Sequence, residues 1–320
     1  MPKLGLTIMS VIAMAVTAAS CGNDEKDLLT TTDPAAQTTT SPEAQTGYAE
    51  VNGLRMYYEV HGQGEPVILL HGAYMSAESM KPAWEVLAKS RKVIVPEMQG
   101  HAHTADIDRR ITYEAMADDV SAMMATLGVA QADIVGYSMG GGTALQMGIR
   151  HPQKVKRIVS ASASYLASGL YPEVLAMFPS ISPEMFAGSP METEYKKFSP
   201  TPDRFPEFVM KLKALDNPPP DWSAKDIAGI QAPVLLVIGD QDIVKPEHAI
   251  EMFRLVGGGK PGDMGTPVPD DQLAILPGTS HMGVLMMQGK MFGEMAAKFI
   301  DPPPAPPSMA PQPAQQPTQQ

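Results

Sequence analysis

With 35 acidic against 24 basic side chains in 320 residues, the chain carries a net charge of −11 and no basic cluster, which excludes it as a binder of nucleic acid. A hydrophobic content of 44% is that of a globular protein, and since both ends lack large apolar residues, about 250 residues remain for one domain with a sizeable core. Cys21 is the only cysteine, so no internal disulfide can form.

Lys3 precedes an apolar run over residues 4–19 that is too short, and too rich in small residues at its end, to span a bilayer. This is the pattern of a secretory signal over 1–20. Ala18-Ala19-Ser20-Cys21 resembles the lipobox of bacterial lipoproteins, with Ala18 where leucine is commoner, and implies a lipid anchor on Cys21. More than one acyl chain at that position would hold the protein stably to a membrane. The expected location is a membrane facing the periplasm or the cell surface, with plain secretion as the alternative. Residues 21–46 are Thr, Asp, Ala, Gln and Pro, too poor in apolar side chains to offset ordering entropy, and read as a linker.

Two alternating stretches, 48–51 and 54–60, flank Asn52-Gly53 and predict a β-hairpin. The continuous apolar run over 66–70 predicts a strand buried on both faces, ending at His71-Gly72-Ala73. His71 reads as a packed residue that shapes this loop. A helix over 79–90 and a buried strand over 92–96 lead to Gly100-His101-Ala102-His103-Thr104. With no cysteine or carboxylate at ligand spacing, that histidine pair reads as structural and not as a metal site. Thr112 can cap a helix that places Met116, Val120, Met123 and Leu127 on one face and stops at Gly128.

The stretch 132–142 reads A-D-I-V-G-Y-S-M-G-G-G. Within it Gly136-Tyr137-Ser138-Met139-Gly140 fits G-x-S-x-G, the sharp strand-to-helix turn that lifts a serine out of a sheet, and makes Ser138 the candidate nucleophile. After a strand over 156–160 the alternation of strands and helices breaks. Residues 163–227, rich in Pro, Met and Phe, read as an inserted cap in which Phe205, Phe208, Val209 and Leu212 recur at helical spacing, above a cleft expected to be apolar. A strand over 233–238 runs into Gly239-Asp240-Gln241-Asp242, and a last strand over 273–276 into Gly278-Thr279-Ser280-His281. Lying two apart beyond a strand, Asp240 and Asp242 would point the same way, so spacing leaves either open as the partner of a histidine. Met287, Met291, Met295 and Phe299 are expected along one side of a closing helix, and 302–320 is a Pro/Gln-rich tail without core residues.

Through His71-Gly72, Gly136-Tyr137-Ser138-Met139-Gly140, Gly239-Asp240-Gln241-Asp242 and Gly278-Thr279-Ser280-His281, the chain resembles the α/β-hydrolase superfamily over residues 47–301. It is most similar to the small capped serine esterases and the cofactor-free haloperoxidase-like (perhydrolase) members. One departure is Gly100-His101-Ala102, where relatives usually carry G-H-G and then a basic residue. The resemblance implies an α/β-hydrolase fold, with a mostly parallel eight-stranded sheet, helices on both faces and the inserted helical cap. It implies a triad of Ser138, Asp242 and His281, since a glycine followed three residues later by the acid selects Asp242 over Asp240. The backbone N–H groups of Ala73 and Met139 would form the oxyanion hole. The implied activity is hydrolysis of a small, hydrophobic carboxylic ester through an acyl-enzyme, with no cofactor and no metal. Alternatives on the same triad are C–C bond, amide or lactone hydrolysis and perhydrolysis; from another class, a catalytically silent surface-binding lipoprotein. Membrane contact is expected only through the anchor.

Overall fold

The computed structural model describes residues 45–216, 218–262 and 268–302. The expected leader, Cys21, nearly all of the linker and nearly all of the tail lie outside these residues.

Asn52 and Gly53 both adopt positive φ, 50° and 80°, as a two-residue hairpin turn requires, and join β1 (Gln45–Val51) antiparallel to β2 (Leu54–His61). β3 (Pro66–Leu70), β4 (Lys92–Pro96), β5 (Ala132–Tyr137), β6 (Val155–Ala161), β7 (Val234–Gln241) and β8 (Gln272–Ser280) complete one eight-stranded sheet in the order β1-β2-β4-β3-β5-β6-β7-β8. Apart from the antiparallel pairings of β1 with β2 and β2 with β4, all neighbours are parallel. The central strands are unbroken apolar runs because both faces are covered. Ile68, Leu70, Ile94, Ile134 and Ile158 point into one core, Val67, Leu69, Val93, Val135 and Val159 into the other.

α1 (Lys81–Leu87) follows a 3-10 turn at Glu78–Met80. It is shorter than the helix expected over 79–90, because the chain beyond Leu87 folds tightly against Gly62 of the turn after β2. Thr112 caps α2 (Tyr113–Thr126), its hydroxyl accepting the Ala115 N–H at 3.1 Å. α3 (Met139–Arg150) leaves the sheet directly after β5. The insertion between β6 and β7 forms the cap, with α4 (Pro172–Met177), α5 (Pro190–Phe198), α6 (Phe205–Lys213) and α7 (Ala224–Ala228). The first three of these carry proline in the first turn, and Ser189 and Ser223 cap α5 and α7. α6 buries Phe205, Phe208, Val209 and Leu212 as their spacing predicts. α8 (Pro246–Leu255), α9 (His281–Met286) and α10 (Gly289–Ile300) follow. α2, α3 and α8 cover one face of the sheet, α1 and α10 the other.

Two features of the C-terminal third differ from expectation. β8 runs on to Ser280, past the expected end at Leu276, because Ser280 still pairs with Gln241 of β7 beyond a register shift. The expected stripe is borne out only in its second half: Phe299 is buried and Met295 packs half-buried against the core, whereas Met291 is 44% exposed and Met287, ahead of the helix, 80% exposed, and α10 otherwise buries Gly289, Phe292, Gly293, Ala296 and Ile300. Over the first half glycines set the phase instead, since a Cβ on Gly293 would lie 2.9 Å from the Ala83 carbonyl oxygen of α1.

Arg91, just ahead of β4, clamps the end of the domain. Its Nη1 donates to Asp133 Oδ2 at 3.1 Å, its Nε to Asp301 Oδ2 at 2.9 Å and its Nη2 to the Ile300 carbonyl at 3.0 Å. Burial pushes the Asp133 carboxyl up to about 6 against the pull of Arg91. At the other end of the described chain, Gln45 pairs with Val60, next to His61, which pairs with Val93 near the start of β4.

Candidate active site

β5 ends at Tyr137, and Ser138 turns the chain into α3 with φ 54° and ψ −117°. That conformation is costly for a residue with a Cβ and persists only where the surroundings over-determine it. The surroundings do: a Cβ on Gly136 would collide with the Gly140 carbonyl, and one on Gly140 with the Leu70 carbonyl of β3. The glycines of the motif are therefore what lets the turn close.

Ser138 Oγ lies 3.0 Å from His281 Nε2, and His281 Nδ1 lies 2.8 Å from Asp242 Oδ1. An ionised carboxylate only accepts, so Nδ1 carries the imidazole proton and the Nε2 lone pair faces the serine hydroxyl. The Asp242 side chain is fully buried, that of His281 is 16% exposed, and Ser138 is partly exposed. Oδ2 of Asp242 accepts the Ser162 hydroxyl at 2.6 Å and the Gly239 N–H at 3.3 Å, and Oδ1 also takes the Val244 N–H at 3.3 Å. Burial pushes this carboxyl up, but the hydrogen bond and charge of His281, with Ser162 and Gly239, outweigh it and hold the group below the ordinary carboxylate range. Tyr137 donates its hydroxyl to the His281 carbonyl at 2.9 Å, tying the histidine to the strand that presents the serine.

Asp240 stands apart from this chain of bonds. It accepts the Thr279 N–H at 3.0 Å, and the Gly278 and Thr279 amides hold its carboxyl below the ordinary range. The two acids do not point the same way because β7 changes register between Gly239 and Gln241 and then turns, Asp242 donating its N–H to the Gly239 carbonyl. The structure thus brings Ser138, His281 and Asp242 together and leaves Asp240 on the loop backbone.

Ala73 lies in the loop after β3, and Met139 is the first residue of α3, where N–H groups lack intrahelical acceptors. Among the described residues the Ala73 amide has no acceptor within the chain. Two buried imidazoles shape the Ala73 loop. His71 takes the Met98 N–H on Nε2 at 3.1 Å and gives its Nδ1–H to the Gly72 carbonyl at 2.8 Å, while His101 takes the Tyr74 N–H on Nε2 at 3.3 Å. Burial holds both below the ordinary histidine value, which suits neutral rings used as braces. His103 gives its Nδ1–H to Glu97 at 3.0 Å, and that buried carboxylate also takes the His103 and Ala77 amides. Among the described residues no group of three or more His, Cys, Asp or Glu side chains could hold a metal.

Four of the residues found here carry no motif. Glu97 and Ser162 could have been noticed as polar residues just past the carboxyl ends of buried strands, the edge where such a sheet builds its site. Tyr113 and Asp216 gave no signal. The Tyr113 hydroxyl donates to Asp216 Oδ1 at 2.9 Å, and Asp216, on the cap just past α6, lies within electrostatic reach of His281.

Residues 65–194 match the family model described as alpha/beta hydrolase fold. Over 121 residues the chain is 35% identical to the 2-hydroxymuconate semialdehyde hydrolase of Pseudomonas sp. (strain CF600), a match that spans 35% of this chain and 42% of that protein. Among solved structures it is similar to a meta-cleavage product hydrolase (CumD) from Pseudomonas fluorescens IP01, with a TM-score of 0.62 at 20% identity over 80% of this chain and 97% of that one. It is likewise similar to the carboxylesterase CesB from Bacillus subtilis, with a TM-score of 0.62 at 18% identity over 81% and 93% of the two chains. At such identities the likeness is one of fold. The chain has the α/β-hydrolase fold.

Proposed function

We propose that the protein is a serine hydrolase that cleaves small carboxylic esters through an acyl-enzyme. The observation that carries this reading is the continuous hydrogen-bond chain from Ser138 Oγ through His281 to the buried Asp242, at 3.0 and 2.8 Å, set on a strained strand-to-helix turn. His281 Nε2 takes the hydroxyl proton as Ser138 Oγ attacks the ester carbonyl, and Asp242 stabilises the imidazolium that forms. The oxyanion lies against the Ala73 and Met139 amides, donors worth about 3–4 kcal/mol each where they are aimed at developing charge. His281 then returns its proton to the departing alkoxide; the same steps with water release the acid and restore the serine.

Hydrolysis of a C–C bond is a second reading on the same residues, favoured by the matched relative that is a 2-hydroxymuconate semialdehyde hydrolase. The leader and Cys21 add the further reading that the enzyme is exported and held to a membrane by a lipid anchor.

A fluorophosphonate tests the chemistry. It is expected to modify the protein stoichiometrically at Ser138, with no labelling of Ser138→Ala. Labelling that survives this substitution sinks the serine-hydrolase reading. Turnover of p-nitrophenyl esters against turnover of 2-hydroxymuconate semialdehyde then separates the two reactions. For the esters, kcat/KM should rise over the first few acyl carbons, each buried CH₂ contributing up to about 0.8 kcal/mol.

A further inference from the structure

Asp216 is a half-buried carboxyl with a single hydrogen-bond donor among the described residues. It is held by two elements: the cap, where it lies just past α6, and Tyr113, whose hydroxyl donates to its Oδ1 at 2.9 Å. Tyr113 itself is fixed, with its ring against Gly142 in the first turn of α3 and edge-on to Trp222 of the cap at 5.4 Å. On the other side lies Tyr74, next in sequence to Ala73, whose hydroxyl feels the Asp216 charge. Through Tyr113 the carboxyl is tied to the first turn of the nucleophile helix, and it lies within electrostatic reach of Tyr74 and His281.

Among the described residues Asp216 accepts one hydrogen bond, from Tyr113, and forms no ion pair with a lysine or arginine. Its second oxygen has no donor. A carboxylate offers about four acceptor sites, and on this half-buried one Tyr113 fills a single site. Burial accordingly pushes its carboxyl up, opposed by the Tyr113 hydrogen bond and then by His281. Tyr113 uses one lone pair of one oxygen and leaves the remainder of the acceptor capacity open to a further donor.

We propose that Asp216 is a specificity-determining residue, selecting substrates that carry a hydrogen-bond donor, a hydroxyl or an ammonium group, on the part that reaches up into the cap. This rests on the serine-hydrolase reading of Ser138. The carboxylate supplies the acceptor and Tyr113 fixes its direction. A donor-bearing substrate completes the set of hydrogen bonds, a plain alkyl chain leaves Oδ2 without a partner, and a substrate carboxylate is repelled. Sites built to bind a substrate hydroxyl reject the analogue lacking it much more strongly than apolar pockets reject an added methylene.

Ethyl esters of hexanoic and octanoic acids, each plain and with a terminal hydroxyl, amine or carboxylate, test this by pH-stat at neutral pH. In the wild type, kcat/KM for a hydroxy or an amino ester should exceed that for the plain ester by roughly tenfold or more, and the carboxylate ester should fall about tenfold or more below it. Asp216→Asn keeps an acceptor for Tyr113 but loses the charge, so it should lose preference for the amino ester, keep most of any preference for the hydroxy ester, and gain on the carboxylate ester. Asp216→Leu should lose both preferences. A hydroxy-selective wild type assigns a neutral donor, an amino-selective one a cation. An unchanged order of the esters in both variants, with Ser138 still labelled by fluorophosphonate as in the wild type, overturns the proposal. Loss of Ser138 labelling in the wild type itself would instead overturn the hydrolase reading on which it stands.

Discussion

Ser162, at the end of β6, donates its hydroxyl to Asp242 Oδ2 at 2.6 Å, while Oδ1 of the same carboxylate takes the His281 Nδ1–H at 2.8 Å. The acid is therefore held from both sides, and its orientation toward His281 does not depend on the histidine alone. A hydrogen bond to a charged group contributes about 1.5–3 kcal/mol, and only part of that bears on the transition state. Ser162→Ala should lower kcat by roughly tenfold with KM little changed, alongside a small fall in Tm. An unchanged kcat would mean that Gly239 and Val244 suffice to place the acid.

Asp242→Asn and Asp240→Asn should differ sharply. An amide at 242 holds the wrong imidazole tautomer and should cost up to about 10⁴ in kcat, whereas Asp240 bonds only to loop backbone and its replacement should cost far less. Initial rates on one ester, with thermal melts as a folding control, check this. A large loss in Asp240→Asn beside a near-normal Asp242→Asn would reverse the assignment.

The pair His103–Glu97 should leave a mark on the pH dependence of stability. The Glu97 hydrogen bond raises the His103 value, so the fold favours the protonated ring. Its contribution is complete below the unfolded value of about 6.5 and is lost as pH rises through the raised folded value. His103→Gln keeps a donor for Glu97 without the titration. The Tm gap between wild type and this variant should be widest in mild acid and narrow on the alkaline side, and a gap that widens with pH would contradict the assignment.

Cys21→Ser should release the protein from membranes or block its processing, if the lipobox-like triplet acts as its sequence implies. Fractionation and mass spectrometry of the N-terminal peptide check this. An unmodified peptide beginning near residue 21 would leave an ordinary secreted protein.

What could be read from the sequence was what local chemistry dictates. The apolar runs 67–70, 93–95 and 234–238 announce strands covered on both faces, and the glycines around Ser138 announce a turn too tight for side chains. Reading fails where tertiary contacts choose between local equals. Asp240 and Asp242 are equivalent by spacing until a register shift in β7 turns them apart. The first half of the stripe on α10 misleads because methionines carry the apolar signal while Gly289 and Gly293, which carry none, make the contact with α1. Asp216 is invisible for a related reason: nothing local marks a polar residue at the end of a cap helix as the one that meets Tyr113, 103 positions away in sequence.

The placing of Gln45 beside the end of β2, and of Ile300 and Asp301 in the grip of Arg91, has a practical side. Both ends of the described domain emerge at the amino-terminal ends of the parallel strands, whereas Ser138, Asp242 and His281 lie at their carboxyl-terminal ends. Coupled to a bead, a sensor chip or a fluorescent fusion at either end of the described domain, the molecule is gripped by its back. Immobilisation from either end should leave the mouth of the site facing the bulk solution without any search for a permissive attachment point.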